Sequence, residues 1–182
     1  MPFSARTALA ALGLLGLLTV PTPAPAADEA APAVTAKSAF ARMKTMAGEW
    51  KSETPDKEHG HGEGKAKVVY SLTAGGTALM EHQFPASDHE MVSVYHLDGD
   101  DLKMTHYCAI GNQPRMKLDR KASTPTTLVF VFDGGTNFDP AKDMHIHALT
   151  VEFKEGGKVV ENWQAFEGGK KAHELAITLV RQ

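Results

Sequence analysis

The sequence is poor in cysteine and has no strong excess of either charge. Cys108 is the only cysteine among 182 residues, which excludes an intramolecular disulfide and a zinc site built from several cysteines. The chain has 19 Lys and Arg residues and 22 Asp and Glu residues, for a net charge of −3 with its 9 histidines neutral. Nucleic-acid binding typically requires a basic surface and a high isoelectric point, so this balance argues against it.

The apolar run near the N-terminus is too short to cross a membrane. Residues 7–20 would span about 21 Å as a helix, whereas the hydrocarbon core is roughly 30 Å thick. Arg6 precedes this run, and Ala24-Pro25-Ala26 follows it with the small-x-small pattern of a cleavage site. We therefore predict that residues 1–26 are a cleaved export signal. The mature protein is then periplasmic or secreted and has no membrane span.

A short linker and a helix are expected after the signal. Residues 27–37 are rich in alanine and lack any period, which predicts a disordered tether before a domain over residues 38–182. Ser38 is a candidate helix cap, and Phe40, Met43 and Met46 form one apolar stripe. We predict a helix that ends near Met46 and covers one end of the domain.

From Gly48 onward the apolar period changes to two, and glycine-rich turns separate the segments. This pattern predicts an all-β domain of roughly ten antiparallel strands in a meander. Closure into a barrel would remove the exposed sheet edges, although a two-sheet sandwich is an alternative. A surface loop is expected at 133–142. The predicted strands are 48–53, 63–72, 78–84, 90–97, 101–109, 115–121, 127–132, 143–153, 158–167 and 171–180.

Strand alternation predicts several histidines in the lumen of this barrel. His106 shares a strand face with Leu102 and Met104, while His145 and His147 share one with Leu149, Val151 and Phe153. Both faces are the more apolar ones, so we place them inside. Unpartnered buried polar groups cost roughly 1–3 kcal/mol each, and several together therefore indicate a hydrogen-bonded network or a ligand site.

The pair His145 and His147 also has the spacing of a metal site. Two imidazoles on one side of a strand have Cα atoms about 6.5–7 Å apart. His106, Glu81 or His96 would be the third ligand from a neighbouring strand. The alternatives are a histidine pair that is hydrogen-bonded within the lumen and a pocket that binds a ligand without metal.

A polar turn provides further candidate ligand-binding residues. Asn112 and Gln113 offer hydrogen-bond donors and acceptors at the barrel mouth, and Arg115 offers a planar fork for an anion. The alternative is that the amides satisfy local backbone groups and that the guanidinium is solvated. The predicted ligand-binding residues are Tyr95, His106, Asn112, Gln113, Arg115, His145 and His147.

No catalytic residue is predicted. His106 and Cys108 lie on one strand face, but their side chains run parallel and meet poorly for proton transfer. A free thiol outside a reactive setting is usually an inert packing residue. The sequence therefore favours a non-enzymatic protein that binds a small, partly apolar molecule and has no cofactor. A haem or transition-metal protein, or an enzyme that uses the interior histidines, is the alternative, and the oligomeric state is open.

Two sets of residues resemble lipocalin-type barrels. Gly48-Glu49-Trp50 after the helix is similar to the Gly-x-Trp signature, whose tryptophan lies under an arginine near the end of the last strand. Arg181 occupies the position of that arginine. Residues 40–180 resemble a family of exported bacterial lipocalin-like proteins of unassigned activity, most clearly at Ala78-Leu79-Met80-Glu81, Met91–Asp100, Thr105-His106-Tyr107-Cys108, Gly111–Met116 and Phe132–Asn137.

This resemblance implies the fold and the exported location but no catalytic residues. The architecture is also distantly similar to the nitrobindin-like haem barrels, although no single histidine matches their haem ligand.

Overall fold

The computed structural model of the protein describes Met1, residues 33–53 and residues 66–182. This described part contains one α-helix, α1 (Ala36–Lys44), followed by ten strands. No described helix has both the length and the hydrophobicity of a membrane span. The strands are β1 (Gly48–Ser52), β2 (Lys67–Thr73), β3 (Ala78–Gln83), β4 (Met91–Asp98), β5 (Asp101–Tyr107), β6 (Gln113–Leu118), β7 (Thr127–Thr136), β8 (His145–Phe153), β9 (Val159–Glu167) and β10 (Lys170–Arg181).

The ten strands form a closed antiparallel barrel. Each strand pairs with its neighbours in the chain, and β1 pairs with β10 to complete the ring. The prediction of an all-β, roughly ten-stranded meander is confirmed, and every predicted strand overlaps an observed one. The predicted loop at 133–142 is partly wrong, because β7 continues to Thr136 and Gly135 pairs with Pro114 of β6.

Helix α1 begins earlier than the sequence predicts. Thr35 is its N-cap, and Ser38 is the third helical residue of a capping box. The backbone N–H of Ser38 donates to Thr35 Oγ1 at 3.0 Å, and the backbone N–H of Thr35 donates to Ser38 Oγ at 2.9 Å. Ser38 is therefore not the cap, although its hydroxyl is used. Val34 and Ala36, which precede the predicted start of the domain, are buried.

Trp50 and Arg181 close the end of the barrel that carries α1. They pair across β1 and β10, and the Arg181 guanidinium carbon lies 4.5 Å from the centre of the Trp50 ring. The guanidinium donates to the carbonyls of Ala47 and Thr45, each at 2.8 Å, and so caps the last turn after the helix. Trp50 is buried, and its Nε1 donates to the Met46 carbonyl at 2.7 Å. The predicted stacking of these two residues is confirmed.

Gly48 is required in this arrangement. Its φ is +134°, and a Cβ atom there would lie 2.5 Å from Arg181 Nη1. A side chain would therefore be strained and would also displace the guanidinium from the tryptophan.

Apolar side chains fill the lumen next to α1. Phe40, Met43 and Met46 of the helix segment pack into the barrel together with buried strand residues. The polar residues of the lumen lie further along the barrel axis. The strand residues of this packed end include Trp50, Leu102, Leu128, Phe153, Val159 and Leu179.

Candidate ligand-binding site

A cavity of about 310 Å³ occupies the end of the barrel away from α1. Its walls are largely apolar and come from β3, β4, β5, β8, β9 and β10 together with the turns at this end. Gln83 and His106 are polar residues of its lining. Apolar wall residues include Met91, Ile146, Trp163, Ala165, Leu175 and Ile177. This volume and this composition are typical of small-molecule sites.

Two fully buried carboxyl groups lie beneath the cavity. Glu81 of β3 and Glu161 of β9 have no exposed surface. The Tyr95 hydroxyl donates to Glu81 Oε2 at 2.6 Å, and the Tyr70 hydroxyl donates to Glu161 Oε1. Trp163, a wall residue of the cavity, donates from its indole Nε1 to Glu161 Oε2 at 3.3 Å. The network therefore contacts the site directly.

The two carboxyl groups hold their protons more tightly than a carboxyl group in water does. Burial raises the pKa of both, since a charge is poorly solvated in the barrel. At Glu81, hydrogen bonds from Tyr95, Gln83 and others oppose this rise. The pKa of Glu161 lies well above its usual value, because of burial and because of the charge on Glu81. Of the two groups, Glu161 therefore holds its proton more tightly.

His106 lies between this network and the cavity. It is 1% exposed, and Ser93 Oγ lies 3.0 Å from its Nδ1. Its other ring nitrogen, Nε2, has no hydrogen-bond partner among the described residues. Burial lowers the pKa of His106 to about 4, so the imidazole is neutral at pH 7. The ring centre lies 5.2 Å from that of Trp163.

The structure does not bring the three predicted lumen histidines together. The pairing of β8 with β9 shifts register between Ile146 and Ala148, where one extra residue forms a bulge. Ile146 and Ala165 are paired and both line the cavity, whereas His145 is paired with Phe166 on the opposite face. The assignment of His145 and His147 to the face of Leu149 was therefore wrong, because a bulge reverses the face of the residues that precede it.

His145 and His147 belong to an aromatic cluster outside the cavity, which we call the seam cluster. It consists of these two residues with Phe132, Phe138 and Phe166. His145 Nδ1 donates to the Asp143 carbonyl at 2.9 Å, so its Nε2 accepts from His147 Nδ1 at 3.0 Å. Burial and the neighbouring His145 lower the pKa of His147. The pair is thus hydrogen-bonded within itself.

The three predicted metal ligands His106, His145 and His147 consequently form no common site. The other proposed third ligands do not join them: Glu81 is bonded within the buried network, and His96 is exposed on β4. Across residues 33–53 and 66–182, no group of three or more His, Cys, Asp or Glu side chains is arranged to hold a metal ion.

The polar turn mainly satisfies its own surroundings. Asn112 Nδ2 donates to the Met144 carbonyl at 2.7 Å, and Gln113 Nε2 donates to the Gly111 carbonyl at 3.0 Å. Arg115 is exposed and pairs with Thr105, on the strand face opposite to His106. None of the three lines the cavity. Tyr95 lies in the buried network and not in the cavity wall, so among the seven predicted ligand-binding residues only His106 is a wall residue.

Cys108 lines the cavity as a half-buried thiol beside Met91, with 3.8 Å between the sulfur atoms. Burial raises the pKa of this thiol, which makes it a poor nucleophile at neutral pH. The geometry agrees with the packing role that the sequence suggests.

Sequence reasoning missed Glu161 and Trp163, although a signal for them existed. Val159, Glu161, Trp163 and Ala165 alternate along β9, so the glutamate lies on the same face as three apolar residues. Leu79 and Glu81 follow the same rule on β3. A carboxyl group two residues from buried apolar neighbours on a strand indicates an inward-facing acid.

No protein family matches the chain, and no curated protein matches it either. The closed ten-stranded barrel agrees with the lipocalin-like architecture that the sequence suggests.

Proposed function

We propose that the protein binds a small, largely apolar molecule in the cavity at the open end of its barrel. The observation that carries this proposal is the cavity itself, together with the unpartnered Nε2 of His106 in its lining. An apolar wall favours transfer of an apolar molecule from water, and one polar group fixes its orientation. The packed core near α1 supplies stability without using this end of the lumen.

Filling the cavity tests this proposal. Ala165 faces the cavity from β9, and Ala165→Phe would place a phenyl ring inside it. Ala148 pairs with Val131 and Gln164 on the opposite face, so Ala148→Phe is the matched control. The neutral fluorescent probe N-phenyl-1-naphthylamine is expected to bind the wild type with micromolar affinity. We expect at least tenfold weaker binding to Ala165→Phe and less than a twofold change with the control.

Equal probe affinity of the wild type and Ala165→Phe would overturn the proposal, as would the absence of probe binding to the wild type. Circular dichroism and urea unfolding establish beforehand that both variants are folded.

We further propose that this binding takes place outside the cytoplasm. The support is the sequence pattern of Arg6, the apolar run over 7–20 and Ala24-Pro25-Ala26, all of which lie outside the described residues. Expression of the full chain in a bacterial host with a periplasm should give a mature protein that starts at or near Ala27. Intact-mass measurement of the periplasmic fraction checks this, and retention of Met1–Ala26 there would contradict it.

A second candidate ligand is haem, held through His106. The same unpartnered Nε2 favours it, because a neutral imidazole nitrogen without another partner is a suitable axial ligand. Addition of haemin should then produce an intense absorption band near the blue edge of the visible spectrum. His106→Phe should abolish that band, and its persistence in the variant would exclude this site.

A further inference from the structure

A chain of three hydrogen-bonded groups, Glu81, Ser93 and His106, ends at the cavity. We infer that the cavity selects a neutral apolar molecule with one hydrogen-bond donor, such as an alcohol or phenol, and that His106 Nε2 accepts from it. This inference rests on the proposed function, since it specifies the ligand of the same cavity.

The first step is the set of hydrogen bonds at Glu81. Its two carboxyl oxygens accept from the Tyr95 hydroxyl at 2.6 Å and from the Gln83 side-chain amide. Ser93 lies within hydrogen-bonding range of the same carboxyl group. Because the Glu81 oxygens are the acceptors in these contacts, the Ser93 hydroxyl is the donor to them, and its single proton is used there.

The second step follows at His106. Since the Ser93 proton is used on Glu81, the Ser93 oxygen accepts from His106 Nδ1, 3.0 Å away. A neutral imidazole carries one proton, and here it is on Nδ1. Nε2 therefore holds a lone pair that no described group satisfies. A ligand that donates a hydrogen bond removes the cost of that unpartnered acceptor.

The groups around the cavity disfavour the other polar end groups. The lining contains two exposed histidines, His89 and His173, but no described Lys or Arg, so a carboxylate placed at His106 would be buried without a permanent cation. An ammonium group has three donors, whereas His106 Nε2 is the one buried, unpartnered acceptor among the described lining residues. A single neutral donor matches the site.

A matched set of three naphthalenes tests this inference by isothermal titration calorimetry at pH 7. The set contains 2-naphthol, a neutral donor; 2-methoxynaphthalene, which has a similar shape and no donor; and 2-naphthoate, an anion. We expect 2-naphthol to bind about fivefold to tenfold more tightly than the ether, as one net hydrogen bond provides, and the anion to bind most weakly.

Variants locate the effect at His106. His106→Phe should make the affinities for 2-naphthol and 2-methoxynaphthalene equal within about twofold. Ser93→Ala keeps the imidazole but frees its tautomer, so it should reduce the preference for the phenol. His96→Phe changes an exposed histidine on β4 and is the control, in which the preference should persist.

The outcomes distinguish failure of this inference from failure of the proposed function. If 2-naphthol and the ether bind the wild type equally, the donor inference is wrong while ligand binding in the cavity stands. If 2-naphthoate binds most tightly, or if the preference persists in His106→Phe, the inference is also overturned. If none of the three binds, the proposed function fails and the inference fails with it.

Discussion

The two ends of the barrel are built from the same ten strands but are filled differently. At the α1 end, Trp50 lies under Arg181, and helix residues such as Met43 complete a packed core. At the other end, Trp163 lines a cavity of about 310 Å³ and donates a hydrogen bond to a buried carboxyl group. Trp50 thus closes a packed core, whereas Trp163 lines a cavity.

This contrast separates stability from binding along the barrel axis. Side chains in the packed end lose dispersion contacts and leave a void when they are truncated. Those at the cavity already lack neighbours on one side, so truncation there removes fewer contacts. We therefore expect substitutions at the α1 end to change the free energy of unfolding, and substitutions at the cavity to change ligand affinity.

The largest expected effect is at Trp50. Trp50→Ala should lower the free energy of unfolding by about 3–5 kcal/mol, because it leaves a void and frees the Arg181 guanidinium. Urea unfolding measures this loss. Trp50→Phe keeps a ring under Arg181 and is the control, with a smaller loss. Ligand affinity of the folded Trp50→Ala protein should stay within twofold, and a destabilisation below about 1 kcal/mol would contradict the role of this residue.

The buried network between the two ends should make stability fall with rising pH. The pKa of Glu161 is raised by burial, so the folded state binds its proton more tightly than the unfolded state does. The stabilisation that this proton provides is fully present below the pKa of Glu161 in the unfolded state. It is lost as the pH rises from that value to the pKa of Glu161 in the folded state. The slope is at most about 1.4 kcal/mol per pH unit.

The measurement is urea unfolding between pH 6.5 and 8.5. Below this window the titration of His106 has the opposite effect on the free energy of unfolding. Burial lowers the pKa of His106 to about 4 in the folded state, so the stability that the neutral imidazole provides is lost as the pH falls below 6.5. Glu161→Gln keeps a hydrogen-bond donor but cannot ionise, so its stability should fall less steeply in the window than that of the wild type, with Glu81 left to contribute. An equal slope in the wild type and this variant would show that another group titrates.

The seam cluster should affect stability and not binding. His145→Phe leaves the Asp143 carbonyl and the His147 Nδ1–H without their partner, and should cost about 1–3 kcal/mol of unfolding free energy. Affinity for N-phenyl-1-naphthylamine should stay within twofold, since His145 is not a wall residue. A tenfold loss of affinity at unchanged stability would instead place this histidine in the ligand site.

The α1 end was predictable from the sequence because its signals are local. Period-two segments between glycine turns gave all ten strands, and Gly48, Trp50 and Arg181 gave the closed end. Closure of a meander makes the first and last strands neighbours, and the resemblance to lipocalin-type barrels predicted which residues meet there, Trp50 and Arg181.

The open end was less predictable because it depends on register and on pairing across the lumen. The bulge at His147 adds one residue without any mark in composition, and it moved both His145 and His147 away from the expected face. Glu81 and Glu161 are on strands that are not neighbours, so alternation gives their faces but not their contact. His106 was predicted because β5 is regular between Asp101 and Tyr107.

The smallest expected effect on stability is at the rim of the cavity, where Ile110 is 54% exposed. Ile110→Ala removes few folded-state contacts, so the free energy of unfolding should change by less than about 0.5 kcal/mol. Ile110 nevertheless lines the cavity, and a bound apolar molecule would cover it. Loss of that covered surface should weaken the binding of N-phenyl-1-naphthylamine about threefold to tenfold.

Leu72→Ala, at an exposed leucine that does not line the cavity, is the matched control and should leave both quantities unchanged. If the Ile110 and Leu72 variants bind N-phenyl-1-naphthylamine equally well, the probe does not contact Ile110. It then lies only in the deeper part of the cavity, near His106 and Trp163.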